Sequence, residues 1–177
     1  MSLPVASCAR GGRPTAAIAA FPSAIHRIAF APARQGGYAW VMQDVLSRLF
    51  QHAAMTAGVT VRVAVNFMPD QSRTEARRWF WVYHIRIENH RDDVIQLRTR
   101  HWRITDSRGM VSLVDGEGVV GETPVLAPGA THDYVSGCEL MTNMGSMEGH
   151  YVFVAEDGTP FEAAIPFFPL AAPAAAS

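Results

Sequence analysis

The feature that most restricts the fold of this chain is a period-two alternation of apolar and polar residues that begins at Val59. Residues 59–67 read VTVRVAVNF, with valine at every second position, and residues 79–89 read WFWVYHIRIEN. Neighbouring side chains of a β-strand point to opposite faces of a sheet. The alternation therefore predicts strands that each bury one face.

Turn signals separate about seven such short runs between residues 59 and 170. EDGT at 156–159 places Asp-Gly between two apolar runs, which predicts a hairpin. No long helical pattern interrupts this part of the chain. We therefore predict an all-β domain over 59–170, an antiparallel β-sandwich of about seven strands, followed by a C-terminal tail at 171–177.

The third run changes its phase. Ile95 and Leu97 are apolar at odd positions, whereas Trp102 and Ile104 are apolar at even positions. A regular strand cannot place all four side chains on one face. This predicts a β-bulge near Thr99–His101.

Residues 1–58 form a separate, basic part. They hold five arginines against one acid, whereas residues 59–177 hold ten arginines against fifteen acids. Three interpretations stay open: a partly disordered extension, a targeting segment, or an upstream sequence with Met55 as the true start. Val41, Val45 and Leu49 follow one another at four-residue steps, which predicts one short helix at about 40–54.

The composition argues against several classes of protein. The net charge is -1, which is unlike a general nucleic-acid binder. No apolar run reaches the ~18 residues of a membrane span. Cys8 and Cys138 are the only cysteines, which favours free thiols in the cytoplasm. The spacings G-x-S-x-G, H-x-x-x-H and C-x-x-C are missing, so we expect no catalytic residue, metal site or cofactor.

The stretch DGEGVVGETP at 115–124 contains G-x-G-x-x-G, the pattern of dinucleotide-binding loops. That pattern works where a helix follows, yet here Pro124 and Pro128 come next and disfavour a helix. Its acids would repel phosphate. We therefore expect glycines that allow unusual backbone angles in a long loop. The alternative is a loop that contacts an anion, a nucleotide or, through its acids, a divalent cation.

Two other groups are candidates for contacts. Arg100, His101 and Trp102 are consecutive and could form a recognition patch beside the bulge; alternatively Trp102 is core and Arg100 pairs with an acid. The methionines of MTNMGSMEG at 141–149 favour packing in the core or in a loop over an adaptable or soft-metal surface. The scattered histidines are expected to be surface or hydrogen-bonded residues.

Several longer words carry a family resemblance: PDQS (69–72), QLRTRHWRITDSRG (96–109), GEGVVGETPVLAPG (116–129), YVSGCELMTNMGSMEGHY (134–151) and IPFFPL (165–170). In order and spacing they resemble the ApaG family, called CorD in some bacteria, from about Val59 to Leu170. The resemblance implies a sandwich of the fibronectin type III or immunoglobulin kind. It also implies an association with cobalt resistance and magnesium efflux, and related domains that mediate protein interactions.

We therefore expect a non-enzymatic cytoplasmic module that binds a protein partner, without nucleic acid or membrane. Its tentative contact residues are Gly116, Glu117, Gly118, Gly121 and Glu122 of the loop, with Arg100, His101 and Trp102. The surface is expected to combine this loop with the neighbouring SGCEL–GSMEG segment. The alternative is a sensor that binds a divalent cation or a nucleotide weakly through GEGVVGE. A third hypothesis, hydrolysis of a phosphoanhydride, has only the family's gene neighbourhood in its favour.

Overall fold

The computed structural model describes residues 6–7 and 49–173, which form two packed β-sheets. Two short 3-10 helices, Pro69–Gln71 and Thr74–Ala76, lie between the third and fourth strands. The strands are β1 (Ala6–Ser7), β2 (His52–Thr56), β3 (Val59–Phe67), β4 (Trp79–Asn89), β5 (Ile95–Asp106), β6 (Val111–Glu117), β7 (Val125–Leu126), β8 (Thr131–Leu140), β9 (Met144–Ala155) and β10 (Pro160–Ala171).

The first sheet has the strand order β1-β8-β4-β3-β2 and the second has the order β10-β9-β5-β6, with β7 also paired to β5. All neighbours are antiparallel except β1 and β8, which run parallel. The predicted antiparallel sandwich is confirmed. Its inner faces carry the alternate residues that the period-two pattern marked, including the fully buried Val61, Ile85 and Phe153.

All seven predicted strands are present, and three more join them. β1 and β7 are two residues long, too short to show an alternation. β2 overlaps the predicted helix, which was therefore wrong over residues 52–54, and it adds a strand to the first sheet before Val59. Leu49 is helical, and residues 40–48 lie outside the described part of the chain. Residues 174–177 of the predicted tail also lie outside the described part.

Tertiary pairing explains why β2 was missed. Its sequence HAAMT has two alanines and one β-branched residue, so it shows little intrinsic preference for a strand. It nevertheless pairs with β3 along its whole length, from His52 opposite Val63 to Thr56 opposite Val59. The connecting residues Ala57 and Gly58 have φ values of 49° and 78°, so both lie in the left-handed region that a tight two-residue hairpin requires.

The predicted bulge is confirmed, one residue before the predicted stretch. The ladder between β5 and β9 shifts between Leu97 and Thr99, which leaves Arg98 as the extra residue. Ile95 and Leu97 before the bulge and Trp102 and Ile104 after it all reach the core. Arg98 itself is exposed. Among the described residues, no helix is long and apolar enough to cross a membrane.

Candidate functional site

The glycine loop, residues 116–122, leaves β6 and turns back on itself without starting a helix. Gly118 and Gly121 have φ values of 55° and 80°, as expected for glycines that permit a left-handed backbone. Val120 between them also has a positive φ, 50°, which is rare for a β-branched residue. Val119 is buried in the core and anchors the loop to the sandwich.

Three backbone amides of the glycine loop already have partners inside the protein. Val119 and Glu122 exchange hydrogen bonds, each N–H donating to the other's carbonyl, at 2.8 and 2.9 Å. The Gly118 N–H donates to the carbonyl of Arg98 at 2.8 Å. A dinucleotide-binding loop directs such amides at a pyrophosphate from the start of a helix. This loop instead uses three of them to close itself.

Arg100 lies beneath the glycine loop and supports its backbone. Its Nη1 donates to the carbonyls of Glu117 and Gly118 at 2.8 and 2.6 Å. A Cβ built on Gly116 would lie 2.8 Å from the guanidinium carbon of Arg100, so glycine is what lets the side chain pass. The partners of Arg100 are thus carbonyls, and the predicted pairing with an acid does not occur among the described residues.

A pair of buried tyrosines lies near Arg100 at the same end of the core. The hydroxyls of Tyr134 on β8 and Tyr151 on β9 hydrogen-bond to each other across the two sheets. Burial raises the pKa of Tyr134 and of Tyr151, and the positive charge of Arg100 opposes this rise only in part. Both phenols therefore stay neutral and serve as a polar link within the core rather than as bases.

Arg100, His101 and Trp102 do not form one patch, because alternate residues of β5 point to opposite sides. Trp102 is 4% exposed and belongs to the core, as one of the two sequence interpretations held. His101 lies on the outer face of the second sheet, where its Nδ1 is 2.7 Å from a carboxylate oxygen of Asp115. Its ring also stacks on that of His150, with centroids 4.5 Å apart.

The acids of the glycine region do not converge on one point. Asp115 bonds to His101, and the exposed side chain of Glu117 points outward from β6. Glu122 lies on the far side of the loop, where its charge acts on His132. Over residues 6–7 and 49–173, no group of three or more histidines, cysteines or acids is arranged to hold a metal ion.

The predicted surface that combines the glycine loop with the SGCEL–GSMEG segment was wrong for most of that segment. The loop lies at the Arg98 end of β5, whereas the turn between SGCEL and GSMEG lies at the other end of the same strand. There the N–H of Ser107 donates to the carbonyl of Met144 at 3.0 Å. Nearly the whole length of β5 separates this turn from the loop, and only the Gly149 end of GSMEG, opposite Trp102, approaches the Gly116 end of the loop, opposite Arg100.

The second sheet instead exposes a set of large apolar side chains that sequence reasoning missed. We call this set the outer patch, and its members are Met110, Val111, Leu113, Met144 and Phe167. Leu113 is 69% exposed and Met110 is 66% exposed. The packing predicted for the methionine run holds for Met147, which is buried, and is wrong for Met141 and Met144, which are exposed.

The alternation in β6 was a signal for the outer patch, but it could not say which face is outside. Val111 and Leu113 alternate with Ser112 and Val114, so both faces contain an apolar residue. The structure turns Ser112 and Val114 toward the partly buried side and leaves Val111 and Leu113 in solvent.

Comparison with known proteins assigns a family to this sandwich. The family model of the ApaG domain matches residues 69–155. Protein ApaG of Methylobacterium sp. (strain 4-46) is 47% identical over 122 residues, covering 69% of this chain and 94% of that protein. Protein ApaG of Pseudomonas aeruginosa (strain LESB58) is 49% identical over 117 residues, covering 66% of this chain and 93% of that protein.

A solved structure agrees with the sequence comparison. The crystal structure of an ApaA protein from Bordetella pertussis is 44% identical to this chain and superposes with a TM-score of 0.63. The match covers 65% of this chain and 94% of that one. Because sequence and structure match over nearly the full length of these relatives, the chain belongs to the ApaG family.

Proposed function

We propose that this ApaG-family protein is a non-enzymatic module that binds a protein partner through the outer face of its second sheet. The observation that carries this proposal is the outer patch. Large exposed apolar surfaces are uncommon on single-chain proteins that have no partner, and they mark interaction sites. Here five large apolar side chains lie on one sheet and its adjoining turns rather than singly over the surface.

The chemistry of the outer patch suits protein recognition. Methionine is flexible and polarizable, so it adapts to irregular partner surfaces. Polar groups lie among the apolar ones: Arg103, which is opposite Leu113, donates to Glu148 at 2.7 Å, and the His101–Asp115 pair lies farther along the same face. Apolar side chains mixed with hydrogen-bonded polar groups are the usual composition of a protein interface.

The alternative function, sensing of a divalent cation or a nucleotide by the glycine loop, has less support. Three loop amides are already bonded within the protein, and Glu122 lies beyond the strand that carries Asp115 and Glu117, so the three acids do not converge. The arrangement of Arg100 beneath the loop supports backbone carbonyls rather than an anion. We include in the proposal the setting that the family resemblance implies, a cytoplasmic protein connected with cobalt resistance and magnesium efflux.

Site-specific photocrosslinking tests the proposed surface. The chain has no lysine, so a photoreactive amino acid at a chosen position is preferable to an amine-reactive reagent. It would replace Leu113 in the full chain, with replacement of Val135 as the matched control. Val135 is 52% exposed but lies on β8 of the first sheet.

We expect discrete protein adducts from position 113 that position 135 does not give, in cells that express the chain at natural levels. Identical adducts from both positions, or none from position 113 under several growth conditions, would contradict the proposed function.

A further inference from the structure

We propose that the edge of β6 binds an extended peptide strand. At every second position this strand carries a side chain that faces β6, and of these four side chains the first two are basic and the last two are apolar. This inference rests on the proposed function and specifies how the partner docks. It begins from the position of β6, which has β5 on one side and no strand among the described residues on the other.

The hydrogen-bond phase of β6 shows which backbone groups face outward. Gly118 donates to Arg98, and Asp106 donates to Met110, at the two ends of the same β5–β6 ladder. Bonded pairs of an antiparallel ladder recur at every second residue. Residues 112, 114 and 116 therefore bond to β5, and residues 111, 113, 115 and 117 direct their N–H and C=O groups away from it.

The outward-facing residues are also those with exposed side chains. Val111, Leu113, Asp115 and Glu117 are all exposed on the outer face. The Glu117 carbonyl accepts a bond from Arg100, whereas no described residue bonds to the outward groups of Leu113 and Asp115. A strand that pairs here would gain backbone hydrogen bonds and side-chain contacts at the same four positions, which is how sheet edges capture peptides.

Two of the other sheet edges are less accessible. β2 and β10, the edges on the opposite side of the sandwich, contact each other, and the Ala164 N–H donates to Thr56 Oγ1 at 3.3 Å. On the near side, β8 is partly paired with β1. The β6 edge is open over all seven residues, and β8 also has no described partner strand over 131–137; what distinguishes β6 is its row of outward apolar and acidic side chains.

The side chains of β6 define the chemistry of the occupant. One half of the outward row is apolar, Val111 and Leu113, and the other half is acidic, Asp115 and Glu117. An antiparallel partner strand meets Glu117 first and Val111 last. Cross-strand pairs are favourable between opposite charges and between apolar groups. The matching strand therefore has basic residues at its first and third positions and apolar residues at its fifth and seventh.

A second copy of this chain does not fit the same edge. The sequence of β6, VSLVDGE, contains no basic residue. In the antiparallel register that pairs the whole of β6 with its copy, Val111 faces Glu117 and Leu113 faces Asp115, so each acid lies opposite an apolar residue. Such charges at a sheet edge act against self-association, so the observations favour a partner of complementary charge.

Amide hydrogen exchange on the full chain, followed by NMR, tests the inference directly. The probe is a blocked seven-residue peptide with lysine at positions one and three, valine at positions five and seven, and threonine elsewhere. We expect saturable protection of the amides of Leu113 and Asp115, with little change at Ser112 and Val114, which already bond to β5. A control peptide with glutamate in place of lysine should give no protection.

Two substitutions separate charge recognition from strand pairing. Glu117→Arg should weaken binding of the lysine peptide by roughly fivefold at low salt and strengthen binding of the glutamate peptide. Leu113→Pro removes an outward N–H while sparing the bonds to β5, as prolines on edge strands do. It should weaken binding more than about tenfold, whereas Leu113→Ala, which keeps the N–H, should weaken it less.

Several results would overturn the inference. One is uniform protection, or none, at saturating peptide. Another is protection of Leu113 and Asp115 before any peptide is added. If this protection depends on protein concentration, the occupant of the edge is a second copy of the chain. If it does not, the occupant is another segment of the same chain. If a photoreactive residue in place of Val111 gives adducts and Leu113→Pro leaves those adducts unchanged, strand addition is wrong and the proposed function stands. If crosslinking fails as well, both are wrong.

Discussion

At the scale of single residues, Asn89 shows how one buried side chain can hold several segments together. It is 1% exposed, and its Nδ2 donates to the carbonyls of Asp93, Leu126 and Ala127 at 2.9, 3.1 and 3.2 Å. Its Oδ1 accepts the N–H of Arg91 at 3.0 Å. The side chain therefore joins the loop between β4 and β5 to β7.

Replacing Asn89 with alanine leaves these backbone groups without their partner, and buried polar groups are costly to leave unpaired. We expect Asn89→Ala to lower the free energy of unfolding by about 2–4 kcal/mol, measured by urea denaturation. Asn66 on β3 is exposed and makes a matched control; Asn66→Ala should change stability by less than about 0.5 kcal/mol. Equal effects of the two substitutions would contradict this assignment.

His132 gives the stability of the protein a dependence on pH. Burial lowers its pKa below the ordinary value of 6.5, although the nearby charges of Glu122 and Asp133 oppose the shift. As the pH falls below 6.5, the unfolded chain takes up a proton that the folded chain resists, so the free energy of unfolding decreases. This stabilisation is complete above the unfolded pKa and is lost on acidification.

We expect His132→Gln to reduce the loss of stability between about pH 7.5 and about pH 5, measured by urea denaturation at each pH. The variant should retain part of the slope, because burial also lowers the pKa of His52. Identical slopes in the variant and the parent chain would show that His132 does not contribute.

At the scale of elements, the two positive-φ glycines of the loop have different surroundings. A Cβ on Gly118 would lie 2.0 Å from the carbonyl oxygen of Glu122, whereas a Cβ on Gly121 would have nothing within 4 Å. Gly118→Ala must therefore open the loop in addition to straining the backbone. We expect it to cost about 3 kcal/mol or more, against about 1–2 kcal/mol for Gly121→Ala, by thermal or urea denaturation.

The same pair of variants tests whether the loop is structural. If Gly121→Ala destabilises the chain as much as Gly118→Ala does, the closure by Glu122 is not what holds the loop. A loop that serves structure should also leave crosslinking from Leu113 unchanged in Gly121→Ala, because Gly121 lies beyond the end of β6.

The elements that could be predicted are those whose information is local. The alternation at Val59 predicts β3, the phase change between Leu97 and Trp102 predicts the bulge, and the prolines after Gly121 predict that no helix follows. β2 could not be predicted in this way, since its alanines do not specify a strand and its conformation comes from pairing with β3. Where pairing with another strand decides the conformation of a segment, the sequence of that segment alone does not predict it.

At the scale of the whole molecule, the candidate surface was harder to predict than the fold because it depends on which face of each strand the second sheet covers. Arg100 and Trp102 lie on the core-facing side of β5, and His101 lies on the outer side. This assignment depends on the extra residue at Arg98, which shifts the alternation by one. Leu113 is exposed because it points to the outer face of the second sheet, opposite Arg103 of β5. Strand order and the facing of each strand are properties of the assembled sandwich, and they decide which side chains a partner can contact.

The assembled sandwich also makes a prediction about where the folded unit begins. β2 pairs with β3 and reaches the second sheet through the bond from Ala164 to Thr56, so it joins both sheets along one side. Phe50, just before it, is 5% exposed, and its ring lies 5.0 Å from that of His84 on the outer face of the first sheet. Removing residues 49–58 would uncover the edges of β3 and β10 together.

We therefore expect a chain that starts at residue 59 to lose cooperative unfolding or more than about 3 kcal/mol of stability. A chain that starts at residue 49 loses, among the described elements, only the two-residue β1 and should still unfold in one cooperative transition. Near-ultraviolet circular dichroism during urea denaturation distinguishes the two, because Trp81 and Trp102 lie in the core. Equal stability of both chains would show that β2 is an attachment to the sandwich, and that β3 and β10 suffice as its edges.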